Sequence, residues 1–330
     1  MLLILDLFQQ GIFESGVLLL DGYSGYGNIS FIYAYLLCNS TLEEWESNNF
    51  TELTNCLKPM NSSYFLSLED VTNDWLVVVD GYFLPDFPAN LWRQRPNIPI
   101  MIGHNRDETS FYDLQDFVYG QENFTSFTKD LVIAKITPLG EMGDGNSSEI
   151  LEVIESVYFP PDTLENDHLT WLKVSEKILT SAAVTRFNAK FIDEYFRNGN
   201  ENIFIYELAH APKFRFKILE EISGWDPVPH GVDVEFLWMK GPWDSWISSD
   251  WILHDLALVE LFGEAWTNFA KYSAPLGKNW KPANSTNWQY YQMGQYCGKM
   301  LQNYGQTDNI VWNQVLSALN AYTGTSYDLL

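Results

Sequence analysis

The residues best suited to acid–base chemistry fall in two short loops, each downstream of an apolar run. Gly103-His104-Asn105-Arg106-Asp107-Glu108-Thr109 follows Ile98-Pro99-Ile100-Met101-Ile102, and Trp225-Asp226-Pro227-Val228-Pro229-His230-Gly231 lies beyond Asn202-Ile203-Phe204-Ile205-Tyr206. Glu108 therefore stands a few residues past a buried strand, where a carboxylate can orient an imidazole. A histidine in a Pro/Gly-rich loop is better placed to move a proton than one on a helix face, which makes His230 the candidate base. Acids also favour a helix N-terminus, and on spacing alone a capping role is the stronger reading for Asp107 and Glu108. The two roles are compatible. His104 belongs to the strand end, whereas His168, His210 and His254 lack matching punctuation and read as surface or core-satisfied residues.

Hydrolysis by a serine, a histidine and an acid needs a hydroxyl whose proton the imidazole removes and a third group that fixes the imidazole tautomer. On an α/β sheet the chain order is serine, acid, histidine, with the serine in a G-x-S-x-G elbow. The sequence contains no such motif. Gly22-Tyr23-Ser24-Gly25-Tyr26 comes nearest, but Tyr26 stands where a small residue is required, so Ser24 reads as a turn serine. The acid and the base are thus present in the right order without their nucleophile.

The elements that must position these loops are legible in outline. Short, continuously apolar runs alternating with helical periodicity predict an α/β fold, a mostly parallel central sheet with helices on both faces. On such sheets functional side chains lie just beyond strand C-termini. Residues 1 to 20 read as a helix end and a buried strand-like run, and Trp75-Leu76-Val77-Val78-Val79 as a further strand. A helical pattern runs from about 164 to 197, with Val184, Phe187, Phe191 and Tyr195 on one face, and another from 255 to 272, with Val259, Phe262, Trp266 and Phe269. Residues 39 to 74 are polar and read as a surface excursion.

Composition narrows the partners. Of 330 residues, 43 are acidic and 19 basic, a formal charge of −24 that repels a phosphate backbone and argues against nucleic acid. The same charge reads most simply as a solvated surface. The three cysteines, Cys38, Cys56 and Cys297, lack the close Cys/His spacing of metal sites, so neither a metal nor any other cofactor is expected, and the count suits one disulfide and one free thiol. Asn-x-Ser/Thr sequons begin at Asn28, Asn39, Asn49, Asn61, Asn123, Asn146 and Asn284, and their clustering suggests a glycoprotein of a secretory lumen. Met1-Leu2-Leu3-Ile4-Leu5 is interrupted by Asp6 and falls short of a signal peptide. A secretory chain without a leader is expected to be the later part of a longer parent, or the product of a gene model that has lost its beginning.

Several segments resemble the type B carboxylesterase and cholinesterase-like family in order and content. Leu7-Phe8-Gln9-Gln10-Gly11-Ile12-Phe13-Glu14-Ser15-Gly16 is similar to LF-x-x-AI-x-x-SG, Val79-Asp80-Gly81-Tyr82-Phe83-Leu84-Pro85 to VDG-x-FLP, and Pro99 through Glu108 to P-I-L-I-G-x-N-x-D-E. Ile203 through Leu208 looks like the strand before the histidine loop, His230-Gly231-Val232-Asp233-Val234-Glu235-Phe236 like HG-x-E-x-x-F, and Trp266 through Lys271 like W-x-N-FAK. The resemblance implies a single truncated carboxylesterase type B domain over 1–330, a partial α/β-hydrolase fold whose N-terminal strands are missing. It makes Glu108 the orienting acid and His230 the base. It also gives Ser15 and Asp233 supporting roles and pairs Cys38 with Cys56. Thr109 departs from the family's glycine, Gly11 from alanine and Asp233 from glutamate, and no departure removes a charge that the mechanism needs. The function implied is carboxylic ester hydrolysis of a small-molecule substrate by a complete parent, with this chain inactive as written. Two alternatives stand beside it: a non-catalytic adhesion or binding protein on the same scaffold, taking a protein partner, and a fragment that does not fold.

Overall fold

The computed structural model describes residues 7–16, 26–47, 49–66, 79–118, 120, 123–141, 147–211, 224–238, 252–294 and 297–322. The chain divides into two compact units, Leu20–Leu91 and the remainder, Met1–Leu19 with Trp92–Leu330. Most of the strand expected at 75–79, the Ser24 turn, the first six residues and the Asn146 sequon lie outside the described residues.

Within Leu20–Leu91, α1 (Tyr26–Cys38) precedes the stretch read as a polar excursion, and that stretch carries the short helices α2 (Leu42–Glu46), α3 (Thr51–Leu57) and α4 (Ser62–Leu66). Local capping explains α2, where the Thr41 side chain takes the Glu44 N–H and the Glu44 carboxylate returns to the Thr41 N–H. Cys38 and Cys56 are joined by a disulfide that ties α1 to α3. Asp80-Gly81, expected to end the run at 75–79, opens a loop. Asp80 Oδ1 accepts the N–H groups of Tyr82, Phe83 and Leu84 at 2.9, 2.8 and 2.9 Å, which holds the chain in a tight turn.

The larger unit is built on a sheet of β1 (Gly11–Glu14), β2 (Ile100–Asn105), β3 (Ile203–Leu208), β4 (Tyr290–Gly294) and β5 (Cys297–Leu301), in that spatial order. The first three pairings are parallel and the β4–β5 pairing antiparallel. The described α-helices of this unit are α5 (Ser110–Val118), α6 (Lys129–Glu141), α7 (Ser147–Tyr158), α8 (His168–Thr180), α9 (Arg186–Arg197), α10 (Val232–Trp238), α11 (Ile252–Tyr272), α12 (Gln306–Ile310) and α13 (Ser317–Tyr322). The expected helix from 164 to 197 is α8 and α9 joined through a π-helical stretch, Ser181–Thr185. The hairpin β4–β5 did not stand out in the sequence.

Alternation along the strands sends side chains to two cores. Ile100, Ile102, Ile203 and Ile205 pack with Ala189, Ile192 and Tyr195 of α9. Met101, Phe204, Tyr206 and Leu208 pack with Phe262, Trp266 and Phe269 of α11. The four isoleucines are fully buried, each stabilising the fold by about 2 kcal/mol relative to exposure. Gly103 is dictated by this layering, because a Cβ there would lie 2.3 Å from the Tyr206 ring and 2.4 Å from the Tyr206 carbonyl oxygen. The glycine lets β2 and β3 close against each other where both loops leave the sheet.

Candidate active site

Glu108 follows β2 by three residues, in the turn that leads into α5, and its carboxyl is turned inward. It is 2% exposed, and donors from several parts of the fold converge on it. His230 Nδ1 donates to Glu108 Oε2 at 2.7 Å, the Asn105 N–H donates to Oε1 at 2.7 Å, and the Ser15 hydroxyl donates to the same Oε1. A buried carboxylate is accommodated when its oxygens are met by donors in this way. The spacing that suggested a cap for α5 conceals this orienting geometry. Asp107 meets the start of α5 through its main chain, its carbonyl accepting the Ser110 N–H at 3.0 Å and the Ser110 hydroxyl at 2.6 Å, while its carboxylate turns to Val228 and Arg106.

The loops carrying Glu108 and His230 are tied together by main chain as well. The His230 N–H donates to the Glu108 carbonyl at 3.0 Å and the Asp107 N–H to the Val228 carbonyl at 3.1 Å, while the Asp107 carboxylate accepts the Val228 N–H at 2.9 Å. Arg106 adds side-chain bonds to the carbonyls of Ala209, at 3.2 Å, and Asp226. Gly231 turns the chain with φ +80°, a conformation that L side chains rarely adopt, and α10 starts directly after it. The imidazole is 63% exposed above a carboxyl that is 2% exposed. With Nδ1–H given to Glu108, Nε2 has no partner among the described residues and is the nitrogen left to take a proton.

The hydrogen bond to Glu108 raises the His230 pKa above 6.5, against an opposing effect of burial. Asp233, in the first turn of α10, is pushed up by burial and then by the charge of Glu108. Its Oδ1 accepts from Asn105 Nδ2 at 3.2 Å. Asn105 also donates from Nδ2 to the Pro229 carbonyl at 2.9 Å, so this fully buried residue links the acid turn, the histidine loop and Asp233. In the sequence Asn105 stands only as one position of the P-I-L-I-G-x-N-x-D-E resemblance, three residues past the apolar run that ends at Ile102. Ser15 sits at the end of β1 with φ +51°, a strained value for a non-glycine residue, and its hydroxyl reaches Glu108 from there.

The remaining histidines have structural partners. His104 is buried between Thr185 Oγ1, 3.1 Å from its Nε2, and the Tyr304 hydroxyl, 2.7 Å from its Nδ1. His210 meets Asp255 at 2.6 Å, and His168 Nδ1 the Phe127 carbonyl at 2.7 Å. A cavity of about 430 Å³ is lined by His104, Tyr158, Lys177, Glu207, Tyr304 and Asp308, and neither Glu108 nor His230 lines it. This cavity is thus separate from the paired Glu108 and His230, the candidate site. No cluster of three or more His, Cys, Asp or Glu side chains suited to a metal ion occurs among the described residues.

A parallel sheet flanked by helices, with a carboxylate and an imidazole joined at the C-terminal rim of its strands, is the layout of an α/β-hydrolase. The chain belongs to the carboxylesterase family, whose model matches residues 4–312. It is 24% identical over 276 residues to pyrethroid hydrolase Ces2a of Mus musculus, covering 82% of this chain and 46% of that protein. Carboxylesterase 5A of Homo sapiens is 23% identical over 304 residues, 87% of this chain and 48% of its own length. Acylcarnitine hydrolase of Rattus norvegicus is 24% identical over 300 residues, 87% and 49%. The chain spans about half the length of these relatives. Among the described residues no helix is long and apolar enough to cross a membrane.

Proposed function

We propose that this chain supplies the acid and the base of a serine ester hydrolase whose nucleophile belongs to a complete protein longer than the sequence given. The observation that carries the reading is the 2.7 Å bond from His230 Nδ1 to the buried Glu108 carboxylate, which leaves Nε2 facing outward as an acceptor. In the complete protein a serine hydroxyl gives its proton to Nε2 as its oxygen attacks the ester carbonyl. Glu108 holds the imidazolium that forms, and His230 returns the proton to the departing alcohol. Water then repeats the sequence on the acyl-enzyme. Ser15 and Asn105 keep the carboxylate aimed, and Asp233 anchors the histidine loop through Asn105. The substrate class is a small carboxylic ester, in line with the family and with relatives named as hydrolases of pyrethroids and acylcarnitines. In this reading the chain forms one carboxylesterase type B domain together with the rest of the complete protein, and donors aimed at the tetrahedral oxygen make the largest contribution to such catalysis.

The complete protein passes through a secretory lumen in this reading. Asn49, Asn61, Asn123 and Asn284 are exposed, and each Oδ1 accepts the N–H two residues on, at 3.4, 3.1, 3.1 and 3.0 Å, which presents the sequon in a local turn. A fluorophosphonate probe tests the hydrolase reading. The complete protein becomes labelled and loses the label in His230→Ala, while the 330-residue chain stays unlabelled. Labelling of that chain alone contradicts the division of roles. A complete protein that never labels, with its acid–base pair intact, favours the second reading, a binding protein on the same scaffold. The absence of any G-x-S-x-G from this sequence is what keeps that reading in view.

A further inference from the structure

Beside the acid turn lies a second group of charged side chains that the acid–base pair does not use. Thr109, the residue after Glu108, donates its hydroxyl to Glu176 Oε2 at 3.0 Å; its N–H reaches Thr180 Oγ1 at 3.3 Å, and the two threonine hydroxyls are 3.1 Å apart. Glu176 lies on α8 and Asp113 on α5, and both are almost wholly buried. Lys135 of α6 meets Asp113 Oδ1 at 2.8 Å. Each carboxyl is left with one oxygen unserved, since Glu176 Oε1 and Asp113 Oδ2 are both buried and neither is reached by a donor. The two carboxyls are hydrogen-bonding neighbours.

Two bare carboxylate oxygens side by side out of water repel each other, and each carries the penalty of an unmade hydrogen bond. Lys135 offsets one of the two charges. A single proton removes the second and satisfies both oxygens. We propose that Glu176 and Asp113 share one proton as a carboxyl–carboxylate pair, and that this pair braces, through Thr109, the turn that carries Glu108. Glu176 holds the proton and donates it to Asp113 Oδ2, Asp113 keeps its charge against Lys135, and Glu176 Oε2 remains free to accept from Thr109. Glu176 is then a positioning residue. The pair stands on two buried carboxyls, each with one unserved oxygen, in one cluster with Thr109 and Lys135; its value to the site rests on the reading of Glu108 as the acid.

Burial, reinforced by Asp113 and then by Asp107, holds the Glu176 carboxyl well above its ordinary 4.5. A carboxyl raised in this way adds stability in full below its unfolded pKa and loses it as pH rises through the folded value. Glu176→Gln keeps an N–H for Asp113 and a carbonyl for Thr109 but has no proton to lose. In thermal unfolding of the 330-residue chain, the parent and E176Q converge at acid pH, and the parent's Tm falls below the variant's as pH rises. A Tm difference that is constant with pH overturns the pair. Should E176Q fail to fold, carboxyl ¹³C NMR of the parent decides: titration of Glu176 at or below 4.5 overturns it. For the positioning role, the His230 midpoint drops by about half a pH unit in Glu176→Ala and recovers in E176Q. An unmoved midpoint in the alanine variant overturns that role. In Glu108→Gln an unmoved His230 midpoint would instead strike the acid–base reading, leaving the Glu176 titration intact.

Discussion

At Glu108 the surroundings decide the chemistry. A carboxylate met by the Ser15 hydroxyl, the Asn105 N–H and His230 Nδ1 cannot turn away to cap a helix, so its charge is committed to the imidazole. Because the Glu108 bond raises the His230 pKa, the neutral imidazole that the proposed mechanism requires is lost as pH falls through a value above 6.5. In the complete protein, kcat/KM for an ester therefore declines on the acid side with a midpoint above 6.5, and a midpoint at or below it would count against the pair. The same linkage makes the charged imidazole favour the fold fully below 6.5, a contribution lost as pH rises through the folded value. Gly103 gives a residue-scale test of stability. Its missing Cβ would meet both ring and backbone of Tyr206, so Gly103→Ala lowers the free energy of unfolding by about 3 kcal/mol, measurable in urea. Spacing alone favours a cap at Glu108, and it is the Pro/Gly-rich loop around His230 and the family motifs that make the two stand out as candidates. Glu176 and Asp113 were not legible, because one sits mid-helix and nothing in local spacing brings it against the other.

Elements carry the second layer of constraint. Asn105 closes β2 and binds the histidine loop and Asp233 at once, so Asn105→Ala leaves the Pro229 carbonyl and Asp233 Oδ1 short of a donor. The expected loss is about 2 kcal/mol, again by urea unfolding, with faster amide exchange in 228–233 than in β3. In the Leu20–Leu91 unit, the Cys38–Cys56 disulfide closes a separation of 18 residues. Reducing it destabilises α1 and α3 by about 3 kcal/mol, read as accelerated hydrogen exchange in those helices. Periodicity announced α8, α9 and α11 because their apolar faces recur at three and four residues. It could not announce the π-helical stretch Ser181–Thr185, where the register slips by a single residue. The β4–β5 hairpin escaped for a different reason: Tyr290 to Gly294 alternates between half-buried and buried positions, and its Gln292 and Gly294 dilute the apolar run that made β2 and β3 visible.

Across the whole molecule, the sheet gathers what the chain keeps far apart. The two residues of the pair are separated by 122 positions, and they meet because parallel pairing aligns the ends of β2 and β3, Asn105 opposite Leu208. The family resemblance carried in the motifs was sufficient to place the chain, and the match over residues 4–312 agrees with it. Geometry adds the bracing around the acid and the partners that occupy His104, His168 and His210. The most direct test is an NMR titration of the His230 imidazole in the 330-residue chain and in Glu108→Gln. The account predicts a midpoint above 6.5 in the parent that falls toward 6.5 when the carboxylate is replaced. Equal midpoints in the two chains would contradict it.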